Sequence, residues 1–283
     1  MSPLSAAAKY GEVARAHSIA KQPEIPVLAT RGTFRREFEE KRGKSLMELS
    51  APPREALSLH HLAVMFRKTG APITPDDFIK FIVDVTPQNV FHSTSARSVQ
   101  QASSSVWYEL RYGRITASIL YETAHCKKLD GSLVERIMGA SPFVETEAMK
   151  RGKDLEEKVL KRFKGCSRPG LFISESLPFL GASPDGMADD FVIEVKCPSK
   201  LATVSNFIDV NNVPTPKCMA QMTLQMKLAR KKKCKFCVAS PTFETDEKVT
   251  VVDVFYNELL AEQLISDAYD FWCEAIFPKL FSA

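Results

Sequence analysis

Two hydrophobic periods alternate along this chain, and the change from one to the other marks its elements. Residues 57–67 carry apolar positions at helical spacing, with His60 and His61 inside the segment. Thr74-Pro75-Asp76-Asp77 is a helix start, with Thr74 as N-cap and Pro75 at the first helical position. Phe78, Phe81, Ile82 and Val85 then fall on one apolar face. Residues 86–105 are polar and Ser/Gln-rich, and read as a linker or an extended lead-in. Residues 106–111 are helix-like, Gly113 ends that helix, and Thr116 or Ser118 caps the next. Residues 146–163 form a long helix with Glu156 near its centre. The period then drops to two. Residues 171–176, 179–183 and 191–196 read as three strands in a meander. Thr215-Pro216 opens a helix whose Met219, Met222 and Met226 suit a core, with Gln221 and Gln225 four apart on one face. Residues 235–239 and 249–255 are two more strands, joined by an acidic loop, and 257–277 is a closing amphipathic helix.

From residue 146 the order is helix, three strands, helix, two strands, helix. That order predicts an α/β protein of α+β type, a central mixed β-sheet flanked by helices with a hairpin at its centre. Residues 1–95 are expected to form a partly helical N-terminal extension of open function, and residues 96–283 the main domain. Within the extension, 34–42 is a dense charged run, a solvated helix face or a tail, and Ala51-Pro52-Pro53 breaks the chain.

Composition narrows the classes. At 45% hydrophobic and 25% charged residues the chain is ordinary for a globular protein. No apolar run approaches the roughly 20 residues of a membrane span. Seven scattered cysteines show no paired framework, which favours a reducing compartment; Cys234 and Cys237 lack a second pair at zinc-finger spacing and read as core strand residues. The expected location is therefore intracellular and soluble, nuclear or cytoplasmic. The first 30 residues are only faintly leader-like, which makes the mitochondrion the weaker assignment. The net charge of +4 comes from the first 100 residues, with 14 Lys and Arg against 10 Asp and Glu; the remainder carries 24 of each. Bulk charge therefore does not argue for nucleic acid, although the run Arg230-Lys231-Lys232-Lys233 suits either a solvated helix cap or a DNA backbone.

The candidate chemistry lies between Gly181 and Pro198. Ser183-Pro184-Asp185-Gly186 is a turn signature, and nine residues after Asp185 stands Glu194-Val195-Lys196 on a strand. Alternation puts Glu194 and Lys196 on one face. Taken alone, a Glu-x-Lys strand is most often a solvated face. Two carboxylates joined by a hairpin, with an ammonium beside them, suit a hard divalent cation such as Mg²⁺. Arg111, Arg114 and Ser118, near helix ends, make a phosphate seat or a plain helix–turn–helix.

The Pro-Asp…Glu-x-Lys pattern resembles the PD-(D/E)xK nuclease superfamily. Its context looks like the phage-lambda-type exonuclease, or YqaJ-like viral recombinase, family over roughly residues 100–275. Trp107…Arg111…Arg114-Ile115-Thr116-Ala117-Ser118 looks like that family's N-terminal box, Gly152-Lys153-Asp154-Leu155-Glu156 like its helix box, and Met219-Ala220-Gln221 like its helix Gln. The resemblance implies a restriction-endonuclease-like core. It implies Asp185, Glu194 and the Val195 carbonyl as ligands of Mg²⁺ or Mn²⁺, with Glu156 supporting them and Glu157 as fallback. It implies Lys196 acting on the attacking water, Gln221 in the site, and Arg111, Arg114 and Ser118 on substrate phosphates. Residues 1–95 match nothing in the family, and Arg151 stands where members often carry an aromatic residue.

The expected activity is a Mg²⁺-dependent DNA nuclease, a 5′-to-3′ exonuclease on duplex ends in recombination or repair. The expected partners are duplex DNA ends, a homo-trimer and a single-strand annealing protein, with no membrane. A DNA-end-binding module without cleavage and an endonuclease of the same fold stand as alternatives.

Overall fold

The computed structural model describes residues 56–100, 105–139 and 146–282. The charged run at 34–42, the break at 51–53 and the leader-like N-terminus lie outside the described residues.

Helix α1 (Leu59–Arg67) begins at Ser58, whose hydroxyl accepts the His61 N–H. Helix α2 (Pro75–Val85) starts as expected, with Thr74 accepting the Asp77 N–H at 3.2 Å. The segment expected to be a linker is instead helix α3 (Gln88–Arg97). Its sequence is polar because it covers the body with only two buried residues, Phe91 and Thr94. Helix α4 (Ser105–Arg111) leads to the short strand β1 (Ile115–Thr116) through Gly113, which sits at φ 71°. A Cβ there would lie 2.9 Å from Leu280 Cδ2, so both backbone angle and packing require glycine. A 3₁₀ turn (Ala117–Ile119) separates β1 from α5 (Leu120–His125). Ser118 thus sits within that turn, and neither it nor Thr116 caps α5. Helix α6 (Ser132–Ile137) follows.

Helix α7 (Glu147–Leu160) begins at Thr146, whose hydroxyl accepts the Met149 N–H. The expected meander is divided between two sheets. Strands β2 (Phe172–Ile173) and β3 (Leu180–Ala182) pair antiparallel, and β1 adds parallel to β3, giving the order β1-β3-β2. Strand β4 (Gly186–Met187) instead pairs antiparallel with β5 (Val192–Lys196). Ser183-Pro184-Asp185 separates the two sheets, and Pro184 has no N–H to extend the first ladder. The second sheet has the order β4-β5-β6-β7. Strand β6 (Lys233–Ala239) is parallel to β5 after the crossover helix α8 (Pro216–Leu228), and β7 (Val249–Phe255) is antiparallel to β6 after the short helix α9 (Phe243–Asp246). Helix α10 (Glu258–Phe271) widens into a π turn (Trp272–Ile276) before α11 (Phe277–Leu280). Pro278 explains the widening, since its ring crowds the carbonyl four residues back and it donates no hydrogen bond.

The inner strand β5 and most of β6 in the second sheet are buried on both faces. Val192, Phe236 and Val238 pack with Met222 and Met226 of α8. Ile193, Val195 and Cys237 pack with Leu155 and Val159 of α7. The largest core joins Leu57, Leu59, Leu62, Phe66, Phe78 and Ile82 to Trp272, Phe277 and Leu280. At roughly 1.5–3 kcal/mol per buried large side chain, those six N-terminal residues contribute on the order of 10 kcal/mol to holding α1 and α2 on the body. Among the described residues, no helix is long and apolar enough to cross a membrane.

Candidate active site

Strand β5 carries Glu194 and Lys196 on the face toward α8, with Val192, because side chains alternate along a strand. The β4–β5 hairpin returns Asp185 to the same strand. Asp185 N donates to Ile193 O at 3.1 Å, and Asp185 Oδ2 accepts the Val195 N–H at 2.7 Å. Gly186 allows this close return. A Cβ there would lie 2.7 Å from both Cys166 Sγ and Leu160 Cδ2.

Glu194 is 2% exposed, and three donors hold it. Lys196 Nζ and Gln221 Nε2 each reach Oε1 at 2.6 Å, and Gln225 Nε2 reaches Oε2 at 2.6 Å. Lys196 Nζ also donates to Gln221 Oε1 at 3.0 Å. Buried carboxylates need this many partners, because an unpaired charge in the interior is costly. The two glutamines reach one carboxylate because they stand one helical turn apart. The i, i+4 spacing was the available signal for Gln225, which the site residues inferred from sequence did not include. Its own Oε1 is buried without a partner among the described residues.

Glu156, from α7, lies on the edge of this group. Its Oε1 is 2.6 Å from Arg168 Nη1, an ion pair without hydrogen-bond geometry. Nothing in the sequence pointed to Arg168, because the contact depends on how the loop after α7 returns.

The charges set the electrostatics. Burial, followed by the facing Glu194 and Glu156 carboxylates, pushes Asp185 well above the usual carboxylate range, against Lys196 and the Val195 N–H. Burial likewise raises Glu156, opposed by Arg168. Burial works to lower the Lys196 ammonium, but Glu194 and Asp185 outweigh it and hold it above its ordinary value. Lys196 is therefore protonated at neutral pH.

The anion-binding candidates separate. Arg111 stacks over the Trp107 ring at 4.1 Å and, among the described residues, makes no hydrogen bond or ion pair. Burial, with Arg136 adding to it, lowers the guanidinium to about 10 despite Tyr108, so it remains a cation. Trp107 Nε1 donates to Ser183 Oγ at 3.2 Å, which ties this arginine to the loop carrying Asp185. Ser118 is exposed, 3.4 Å from the Thr116 hydroxyl. Arg114 is not part of this group, which corrects its assignment to phosphate. It is 1% exposed and donates to Pro178 O, Leu110 O and Leu57 O at 2.7, 2.6 and 2.6 Å. A guanidinium enclosed in this way holds three segments together and reaches no substrate.

The donor set fits a hard divalent cation. Asp185, Glu194 and the Val195 carbonyl are all oxygen donors, and three carboxylates gather around one ammonium. Among the described residues no group of three His, Cys, Asp or Glu side chains converges as a metal cage.

Mixed sheets flanked by helices, with this hairpin on the inner strand, are a PD-(D/E)xK-like fold, which solved alkaline exonucleases share. The alkaline exonuclease LHK-Exo from Laribacter hongkongensis has 23% identity, covers 63% of this chain and 95% of its own, and gives a TM-score of 0.52. LHK-Exo in complex with dAMP gives 0.53 at 22% identity over the same shares of the two chains. No curated protein matches. The family described as YqaJ-like viral recombinase domain matches residues 106–232. The matched segment contains Arg111, Asp185, Glu194, Lys196 and Gln221.

Proposed function

We propose that the protein is a Mg²⁺-dependent deoxyribonuclease that degrades duplex DNA from its ends in the 5′-to-3′ direction, in recombination or repair. The observation that carries this reading is the convergence of Lys196, Gln221 and Gln225 on Glu194 while Asp185 docks on the amide of the residue between Glu194 and Lys196.

Asp185, Glu194 and the Val195 carbonyl would hold Mg²⁺, or Mn²⁺, which supplies polarisation of the scissile phosphate and acidification of a bound water. The protein's own groups do the rest. An ammonium has three N–H donors. Two of those on Lys196 go to Glu194 and Gln221, which leaves one for the attacking water or the scissile phosphate. Because it stays protonated, Lys196 orients and stabilises charge rather than removing a proton. Gln221 fixes the ammonium from one side, and Glu156 sits at the edge as a supporting acid. Arg111, stacked on Trp107, and the exposed Ser118 hydroxyl receive the terminal phosphate. A homo-trimer and a single-strand annealing partner belong to the same reading, and light scattering of the purified protein tests the first of them.

The deciding experiment incubates linear duplex DNA carrying a 5′-phosphate, beside closed circular DNA, with Mg²⁺ and with EDTA. The expected result is metal-dependent loss of the linear DNA alone. Cleavage of the circle would make the protein an endonuclease. Binding without cleavage would make it an end-binding module.

A further inference from the structure

One guanidinium beside the site has more work assigned to it than its position on a helix requires. Arg151 heads the stripe Arg151, Leu155, Val159 on α7, and the two apolar members are buried against β5 and β6. Its side chain passes over the ends of those strands. Nε donates to Glu244 Oε1 at 2.6 Å and Nη2 to Glu244 Oε2 at 2.8 Å, a bidentate pair. Nη2 also donates to Pro241 O at 2.9 Å, and Nη1 to Pro198 O at 3.2 Å and Cys197 O at 3.5 Å. A guanidinium has five N–H donors in a rigid plane, and these contacts number five.

The acceptors lie where the sheet stops holding the chain. The β5–β6 ladder ends at Lys196 opposite Val238. The next residues are Cys197 and Pro198, and Pro198 has no N–H with which to continue a ladder. Pro241 and Glu244 lie just past the end of β6. Arg151 therefore binds the exits of both inner strands to each other and to α7, beginning one residue after Lys196.

We propose that Arg151 is a positioning residue for the cleavage step, fixing Lys196 and Glu194 through the Cys197-Pro198 exit of β5. The inference rests on the nuclease reading for its rate measurement, and a metal titration tests it separately. A contact that merely stabilises the fold would change the thermal midpoint and leave the rate and metal affinity of the folded protein unchanged, whereas positioning changes both.

The test compares the full-length wild type with Arg151→Met, Arg151→Lys and Glu244→Gln. For each, four quantities are measured: the thermal midpoint, duplex affinity in EDTA, the single-turnover rate on 5′-phosphorylated linear duplex with Mg²⁺, and Mn²⁺ affinity by calorimetry. Arg151→Met is expected to cut about 10²-fold more slowly, the loss typical of a catalytic group displaced by about 1 Å. Its duplex affinity should stay within about twofold and its Mn²⁺ affinity fall about tenfold, as for the loss of a group that orients metal ligands. Arg151→Lys should regain less than about a tenth of the rate, because an ammonium lacks the fork. Three outcomes overturn the proposal: a rate for Arg151→Met near wild type, a rate loss that tracks duplex affinity, or full rescue by Lys. If Arg151→Met does not fold, Arg151→Lys decides, since it keeps the cation and loses the fork that reaches the Cys197 and Pro198 carbonyls; an unchanged rate there counts against positioning. If the wild type cuts no DNA, the nuclease reading fails, and the Mn²⁺ titration alone decides. Weaker binding by Arg151→Met then supports positioning, and equal binding overturns it.

Discussion

Gln225 Nε2 donates to Glu194 Oε2 at 2.6 Å from a side chain with no exposed surface. Lys196 and Gln221 both serve the other oxygen, so among the described residues Gln225 is the donor that holds Oε2 and completes the fixing of this carboxylate. Replacing Gln225 by Leu strands a buried charged acceptor, which costs about 1–3 kcal/mol or more. The expected outcome is a lower thermal midpoint and a cleavage rate reduced by about 10–100-fold, in line with the loss of a supporting contact to a metal ligand. Wild-type cleavage by a folded Gln225→Leu protein would remove Gln225 from the site.

Asp185 is expected to trade stability for function. Its carboxyl is raised in the folded state, so its contribution to stability is fully present below the ordinary value of 3.8 and is lost as pH rises through the raised value. In EDTA at pH 8, far above the ordinary carboxylate value, that contribution is diminished. Asp185→Asn takes away the titrating group and is expected to raise the thermal midpoint there, at about 2–4 °C per kcal/mol recovered, while abolishing cleavage. The gain should shrink as pH falls towards 4. Thermal melts of both proteins from pH 4 to pH 8 check this, and a lower midpoint for Asp185→Asn at pH 8 would contradict it.

The two arginines of the N-terminal box should behave oppositely. Arg114→Leu leaves three backbone carbonyls without their donor, each worth about 1–3 kcal/mol when buried, and is expected to unfold or strongly destabilise the chain. Arg111→Ala removes a cation without hydrogen-bonded partners among the described residues, and should leave the thermal midpoint within a few degrees of wild type, about the effect of 1 kcal/mol. Instead it should lose the preference for a 5′-phosphate over a 5′-hydroxyl on linear duplex. Equal preference in wild type and Arg111→Ala would detach Arg111 from phosphate recognition.

Lys196 offers a test of charge against basicity. Glu194 and Asp185 hold it protonated, so the rate of cleavage should show no rise between pH 7 and pH 9 attributable to its deprotonation. Lys196→Ala should abolish cleavage with the fold intact. Lys196→Arg keeps the charge and should retain measurable activity, whereas a general base would be lost entirely in that variant.

The local pattern of the sequence determined most of the elements and the inner hairpin. Period-two alternation put Glu194 and Lys196 on one face, Pro184 and Gly186 marked the turn before them, and the i, i+4 glutamines shared a helical face. These follow from backbone geometry over a few residues, so they are legible in one dimension. Local pattern misread residues 88–97, because a helix that buries only Phe91 and Thr94 has no apolar stripe to announce it. It also joined β3 to the hairpin of β5, because strand composition carries no information on which edges pair. What only the tertiary structure decided is where long side chains spend their donors. Arg111 and Arg114 are three residues apart in one motif, yet one stacks on Trp107 and the other is buried on carbonyls from residues 57, 110 and 178. Arg151 and Arg168 are indistinguishable by sequence from solvated surface arginines, and the fold gives one the exits of two strands and the other Glu156. Partners so distant in sequence are brought together by the packing of helices on the sheet, and a cation's role depends on which oxygen atoms that packing places within its reach.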